Sequence, residues 1–420
     1  MDILIKDAEI ADDRSPLHKQ KKNIYISGGI IKSISDQTPA AGKVIEGEGL
    51  RVSIGWFDMQ AFFGDPGYEY KEDLDSGCKA AAAGGFTDVA TLPNSKPAVQ
   101  NKNAISYLKS HNSRSLTQIH PIGAVTVDLK GEDITEMIDM WQAGAVAFSD
   151  GFRPIWNTDI VLKSLLYLKK LDALLIQKPE DKWLNMLGMM NESASSARLG
   201  LKGMPSIAEE AAIERDLRIL EYSGGKLHFS NISTAGAVEL IRNAKKKGLR
   251  VTCDIAAHQL SFHDGDLEGF DSNLKVNPPF RGLDDIRALK EGLKDGTIDA
   301  IVSAHSPQDE ESKMVEFDMA EFGIIGLQTV FPLINNLANE IELPLLIKKI
   351  SVTPRTLLGL PIPEIKEGAP ATLTVFDPTA EWVFDKSVNY SRSSNSPFLG
   401  QKLKGKVIAT INNNQIWVNN

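Results

Sequence analysis

Residues 52–93 read VSIGWFDMQAFFGDPGYEYKEDLDSGCKAAAAGGFTDVATLP, and their grammar is strand, helix, strand. VSIGWFDM is a compact apolar run of strand length. Lys71 to Ala83 is dense in good helix formers, and Gly84-Gly85 supplies the stop before FTDVATLP resumes as a strand. The same alternation continues downstream. AGAVAFSD and DALLIQK read as further strands, and Pro205-Ser206 with Glu209 and Glu210 behind opens the helix IAEEAAIERDLRILEY through an approximate capping box. Gly224-Gly225 ends that helix before KLHFSNI, and Ser233-Thr234 start AGAVELIRNAKKKG ahead of LRVTCDIA. Alternation of this kind over roughly 300 residues predicts an α/β fold with a parallel sheet, and at that length a (β/α)8 TIM barrel. MLGMMNESASSARLGLKGMPS has no clean period and is predicted to be a loop over the barrel mouth.

The two ends use different grammar. DILIKDAEI and NIYISGGIIKSISD near the start, and ATLTVFDP, EWVFD, KVIATINN and QIWVNN near the end, are short alternating runs broken by turn signals. They predict a small β-sandwich domain assembled from residues 1–52 and 367–420 around a barrel of residues 53–366.

Composition narrows the function classes. The chain has 420 residues, 42% hydrophobic and 24% charged, which is ordinary for a globular protein. A net charge of −9 argues against a general nucleic-acid binder, so the basic runs at 19–22 and 245–247 read as solvated faces. No stretch has the pattern of a signal peptide or approaches membrane-spanning length. Cys78 and Cys253 are the only cysteines and stand far apart, which points to a reducing cytoplasm and to small core residues rather than nucleophiles or a thiolate zinc site.

Six segments carry a resemblance along essentially the whole chain. They are DPGYEYKEDLDSGCKAAAAGGFTDVATLPNSKP, LHFSNISTAGAVELIRNAKKKGLRVT, FDSNLKVNPPFR, DGTIDAIVSAHSP, FGIIGLQT and SPFLGQKLKGKV. In order, they resemble dihydroorotase of the amidohydrolase superfamily, of the type that assembles with aspartate carbamoyltransferase. The resemblance implies a barrel of the metal-dependent hydrolase type plus a split β domain. It also implies hydrolysis of dihydroorotate to N-carbamoyl-aspartate on zinc.

The ligand set fails residue by residue. Where the family carries D-x-H-x-H-x-R-x-P-G, residues 58–67 read DMQAFFGDPG. Asp58, Pro66 and Gly67 keep the frame, while Gln60 and Phe62 stand at the paired histidines and Gly64 at the arginine. Two imidazoles at i and i+2 on a strand share a face and can hold a metal; an amide and a phenyl ring cannot. The third histidine is Lys178, the fourth Asn231, and the last-strand aspartate, also the expected base, is Ala304. The final histidine of that last motif is Gln308. Asp150 is the one acid left, either a remnant ligand or a capped strand end. Lys178 reads as a fixed cation in place of the metal charge, paired with Asp150. Of the other histidines, His228, His258 and His305 sit where the family has non-ligand histidines, and His263 forms no metal-binding pair with His258.

Without a metal, bound water is not lowered from a pKa of about 15.7 to about 7, so the nucleophile is lost at neutral pH. No intact catalytic residue, no metal ligand set and no cofactor are therefore expected. Asn94, Asn277, Gly323, Gly326 and His305 match substrate-binding positions, although the two asparagines read equally as turn-forming amides. Weak binding of dihydroorotate or carbamoyl aspartate remains open. Two functions compete: a non-catalytic structural or regulatory partner in pyrimidine biosynthesis, with aspartate carbamoyltransferase as the implied companion, and a hydrolase with a non-standard site. A ligand-binding sensor is a third. A homo-oligomer, by family a dimer, is the expected state.

Overall fold

The computed structural model describes residues 2–419. Eight parallel strands form the barrel, and their spatial order follows the chain. They are Trp56–Ala61, Phe86–Thr91, Gln118–Gly123, Ala147–Phe148, Leu175–Gln177, Leu227–Phe229, Val251–Ala256 and Ala300–Val302. First and last strands meet at the mouth. Ala61 bridges His305, the Phe62 N–H donates to the His305 carbonyl at 2.9 Å, and the Ser303 N–H donates to Asp58 Oδ1 at 2.8 Å. Asp58 is thus a barrel-closing residue.

Local chemistry sets the elements. The first barrel helix runs Leu74–Ala83 and not from Lys71, because Asp73 takes the N-cap and accepts from the Ser76 N–H at 2.8 Å. Lys71 and Glu72 remain in the preceding turn, where Glu72 is fully buried. Gly85 then holds a φ of +93°, which ends the helix at the expected place. The helix after residue 205 spans Ser206–Ser223, but no capping box forms there. Glu209 is buried and turned to the next helix start, accepting from the Ser233 and Thr234 N–H groups at 2.8 and 3.0 Å and from Ser233 Oγ at 2.5 Å. A glutamate three residues after Ser206 is ambiguous by sequence; the helix starts from Pro205, which places Glu209 fourth, and it caps the next helix instead.

The segment expected as a bare loop over the mouth contains structure. Met190–Asn191 pairs in parallel with Gly203–Met204, and Ala194–Leu199 is a helix with its own Ser193 cap. Arg281, almost fully buried, clamps this unit through Nη1 to Asn191 Oδ1 at 3.0 Å and to the Met204 carbonyl at 2.7 Å. Short elements of two to six residues show no period, which is why they read as a loop.

Strands from both termini share a second eight-stranded sheet. The N-terminal part supplies Asp2–Ile10, Lys21–Ser27, Ile30–Ser35, Lys43–Ile45 and Arg51–Ile54; the C-terminal part supplies Leu373–Phe384, Gln401–Asn412 and Gln415–Val418. Gly28 and Gly29, at φ of +60° and +78°, make the tight hairpin between the second and third of these. An isoleucine- and valine-rich core including Ile3, Ile24, Val52 and Val375 lies beneath. Residues 385–400 leave this sheet and pack on the barrel. There Asn395 donates to the carbonyls of Ser306 and Gly323 at 3.0 and 3.1 Å.

Candidate functional site

A cavity of about 250 Å³ opens at the carboxyl ends of the barrel strands, the end where barrels of this type place their chemistry. Gln60, Lys178, Asn231, Asn277, Ala304 and Gly323 all line it, so the fold does bring most of the degenerate positions together. Phe62, Asp150, Asn94, Gly326 and His305 do not reach it.

Asp150 is a strand-end cap. Its oxygens accept from the N–H groups of Val125 and Thr126 at 3.0 and 2.9 Å and from Thr126 Oγ1 at 2.5 Å. Burial pushes its carboxyl up to about 6 despite those bonds. The expected pairing with Lys178 is not made. Lys178 Nζ instead lies 2.5 Å from Glu180 and 3.3 Å from the Phe152 carbonyl. Burial pushes the Glu180 carboxyl up, but Lys178 and hydrogen bonds from Asn277 and Asn185 outweigh it, so the group sits below its ordinary value. Glu180 follows Lys178 by two residues, at the glutamate of the H-C/A-E-D segment that the resemblance places on QKPED, and sequence reasoning gave it no role.

Asn94 is a loop staple rather than a ligand contact. Its Nδ2 donates to the Asp150 carbonyl at 3.1 Å and its Oδ1 accepts from the Phe152 N–H at 3.2 Å. Gly326 is a packing glycine, since a Cβ there would come within 2.2 Å of the Ser303 carbonyl. His305 faces away from the cavity: Nδ1 accepts from the Gly326 N–H at 3.1 Å, which leaves Nε2 to donate to Glu72 at 3.1 Å. Phe62 packs edge-on against Phe152, with ring centres 5.4 Å apart, and against Tyr68. Asn277 does face the cavity and donates to Glu180 at 3.1 Å.

Two non-glycine residues of the mouth hold left-handed backbone. Asn231 has a φ of +56° and Ala304 a φ of +47°. Asparagine and aspartate tolerate that left-handed region; alanine does so at a cost. The Ala304 backbone therefore has a conformation that asparagine or aspartate would hold at less cost. At Gly64 an ideal Cβ would lie 2.4 Å from the Tyr68 carbonyl oxygen, so the backbone leaves no room for a side chain there.

The remaining groups are mostly engaged. Gln60 Oε1 accepts from Ser230 Oγ at 2.9 Å. Gln308 accepts from Lys71 Nζ at 2.6 Å and donates to the Phe322 carbonyl at 2.8 Å. His258 lines the cavity, packs edge-on to Phe280, and is pushed down to about 4 by burial, so it is neutral at pH 7. His228 is held between Thr252 and Asp254 at 2.8 and 2.9 Å, and His263 caps a turn by accepting from the Gly265 N–H. Both cysteines are buried in the core, with Cys78 pushed up to about 12.

Among the described residues, no three histidine, cysteine, aspartate or glutamate side chains converge as a metal-binding group. The mouth offers neutral amides, the His258 imidazole, the Glu321 carboxylate and a lysine engaged by Glu180, and these do not converge. That set falls short of the three or four converging thiolate, imidazole or carboxylate ligands that zinc takes.

Comparison with known proteins agrees with the architecture. A dihydro-orotase-like family model matches residues 50–237. The dihydroorotase of Geotalea daltonii is 41% identical over 416 residues, 98% of each chain. The chain belongs to the dihydroorotase family. The dihydroorotase of Pelotomaculum thermopropionicum is 39% identical, across 98% of this chain and 97% of its own. Among solved structures, the L-hydantoinase (dihydropyrimidinase) of Arthrobacter aurescens superposes with a TM-score of 0.84 at 22% identity, covering 99% of this chain and 95% of that one. The dihydropyrimidinase of Brevibacillus agri gives 0.81 at 19% identity, covering 100% and 95%. At such identity these two speak for the fold alone. No helix among the described residues is long and apolar enough to cross a membrane.

Proposed function

We propose that this chain is a non-hydrolytic member of the dihydroorotase family that acts in pyrimidine biosynthesis as a structural or regulatory partner. Aspartate carbamoyltransferase is the partner its resemblance implies. The observation that carries the reading is the Lys178–Glu180 pair at the cavity wall, together with a Gly64 position closed by the Tyr68 carbonyl. A cation neutralised by its own carboxylate has replaced a ligand, and an anion clamp has been removed. What remains is a folded barrel mouth, so the role proposed lies in shape and surface. The proposed setting is the cytoplasm, and the proposed state is a homo-oligomer able to dock the transcarbamoylase.

A second reading has its own support. Relatives named dihydroorotase match at about two-fifths identity over nearly the full chain, which favours ring-opening hydrolysis of dihydroorotate at a non-standard site. One set of measurements separates the two. Protein purified with zinc in every buffer is analysed for metal, assayed for dihydroorotate ring opening, and sedimented with and without the transcarbamoylase. The proposal expects substoichiometric zinc, no turnover above buffer, and a mixed complex. Stoichiometric zinc with turnover establishes the hydrolase reading instead. Separate sedimentation at micromolar concentration removes the transcarbamoylase as partner.

A further inference from the structure

Two loops at the rim of the barrel mouth carry an apolar surface that the cavity does not use. Phe270, Met314, Val315 and Met319 are exposed by 46%, 80%, 38% and 72%. They lie on segments 264–275 and 309–322, which are stitched together. Ser272 Oγ donates to the Lys313 carbonyl at 2.5 Å, and Lys313 Nζ donates back to the Ser272 carbonyl at 2.7 Å. The Phe270 and Phe317 rings stand edge to face with centres 6.3 Å apart. Single exposed apolar side chains are ordinary, but four on one pinned unit mark a contact surface.

The charge around it has one sign. Asp271, Glu311, Glu316, Asp318 and Glu321 are exposed on the same two segments, and among the described residues none of them forms an ion pair. Lys275 and Lys313, the lysines of these segments, are buried and turned inward. Lys275 Nζ donates to the carbonyls of Phe317 and Asp318 at 2.7 and 2.9 Å, and Lys313 Nζ gives a second bond, to the Glu321 carbonyl, at 2.7 Å. Burial, with Lys275 beside it, pushes the Lys313 ammonium down to about 7, so part of its charge is already lost at neutral pH. Solvent thus meets apolar side chains set among carboxylates.

That pattern selects among occupants. A nucleic acid or an anionic membrane would meet like charge, and a second copy docking through the same face would set carboxylate against carboxylate. We infer that this face docks a protein partner through a segment in which lysine or arginine flanks exposed apolar side chains, as on an amphipathic basic helix. Methionine suits such a surface, because its unbranched, polarisable side chain moulds to the groups laid on it. Glu321 and Phe322 also line the cavity, so the docked segment lies at the edge of the mouth. The inference goes beyond the proposed function, since neither metal nor turnover enters it.

Three synthetic peptides serve as probes: leucine and lysine in an amphipathic helical pattern, the same pattern with glutamate for lysine, and the same with serine for leucine. Fluorescence anisotropy with the full chain is expected to show the leucine–lysine peptide bound at least tenfold more tightly than either other, and released as salt approaches about 1 M. Met314→Ser with Met319→Ser is expected to weaken that peptide at least tenfold with an unchanged melting profile. The set Glu311→Gln, Glu316→Gln and Asp318→Asn is expected to do the same. Glu46→Gln with Glu48→Gln, beside the second sheet, controls for net charge and is expected to change the affinity less than twofold. Equal binding of the glutamate or the serine peptide overturns the inference, as does unaltered affinity in either folded face variant. A loss in the control as large as in the face variants overturns the location. A homodimer that the methionine pair of substitutions dissociates assigns the face to a second copy and overturns the choice of partner. Zinc content and ring opening bear on the hydrolytic question alone, and none of these outcomes depends on them.

Discussion

Replacing Asp58 by asparagine should change how stability depends on pH, by an amount the barrel seam defines. Asp58 is fully buried, and burial raises its carboxyl from 3.8 to about 7 even though Ser303 donates to it twice, from N at 2.8 Å and from Oγ at 2.5 Å. Asp254 adds further upward pressure. A folded-state pKa above the unfolded one means that the native state binds more protons between about 4 and 7. Stability then falls as pH rises through that window, and is level above it. About three pH units at about 1.4 kcal/mol each give a loss of about 4 kcal/mol. An asparagine can keep Oδ1 as the acceptor for the Ser303 N–H and turn its amide toward Ser303 Oγ, so the seam stays bonded while the titration vanishes. Urea unfolding at pH 4.5, 5.5, 6.5 and 7.5, followed by the fluorescence of buried Trp56 and the other tryptophans, measures both proteins. Asp150, raised to about 6, titrates in both and cancels in the difference. Asp58→Asn should gain on the wild type with each step, most of all between pH 5 and 7. A constant gap across the four values would refute the claim that a buried, proton-holding carboxylate closes the barrel.

That seam also shows what could be read from the chain. Barrel and second sheet were legible because strand, helix and glycine stop repeat with clear periods, and long repeats override local ambiguity. The expectation of a lost metal site came from residue identity alone, because it concerns which atoms can donate electron pairs. What sequence could not give was direction. Asp150, Asn94 and His305 stand at motif positions, yet their side chains are consumed by backbone groups of neighbouring loops: Thr126, Phe152 and Gly326. Likewise Lys178 chooses Glu180 over Asp150, since a partner two residues away costs less chain ordering than one across the barrel. Glu209 is the converse case, where a local cap was offered and a residue 24 positions distant won. Registers follow from pattern; polar partners follow from the assembled fold.

Three further outcomes test the mouth. Gly64→Arg places a Cβ 2.4 Å from the Tyr68 oxygen and should cost about 1–3 kcal/mol in urea unfolding without creating dihydroorotate binding by calorimetry; a neutral change would show that the position is open. Glu209→Ala strips the cap from Ser233 and Thr234 and leaves the Arg281 guanidinium, 3.7 Å away and 2% exposed, without its carboxylate. It should lose about 3–5 kcal/mol in the same assay, and a loss under 1 kcal/mol would contradict the tertiary cap. Ala304→Asn goes the other way. Ala304 sits at a φ of +47°, where a Cβ meets the backbone at a cost of about 1–2 kcal/mol that asparagine largely escapes through local hydrogen bonding. Its side chain faces the 250 Å³ cavity, so the larger amide has room and buries no apolar surface of its neighbours. The variant should therefore be more stable than wild type by about 1 kcal/mol, seen as a rise in urea midpoint at unchanged slope. Since Asn231 already holds the same left-handed turn with an amide, a fall in midpoint would mean that Ala304 is retained for its smallness and not as the residue of a vanished aspartate.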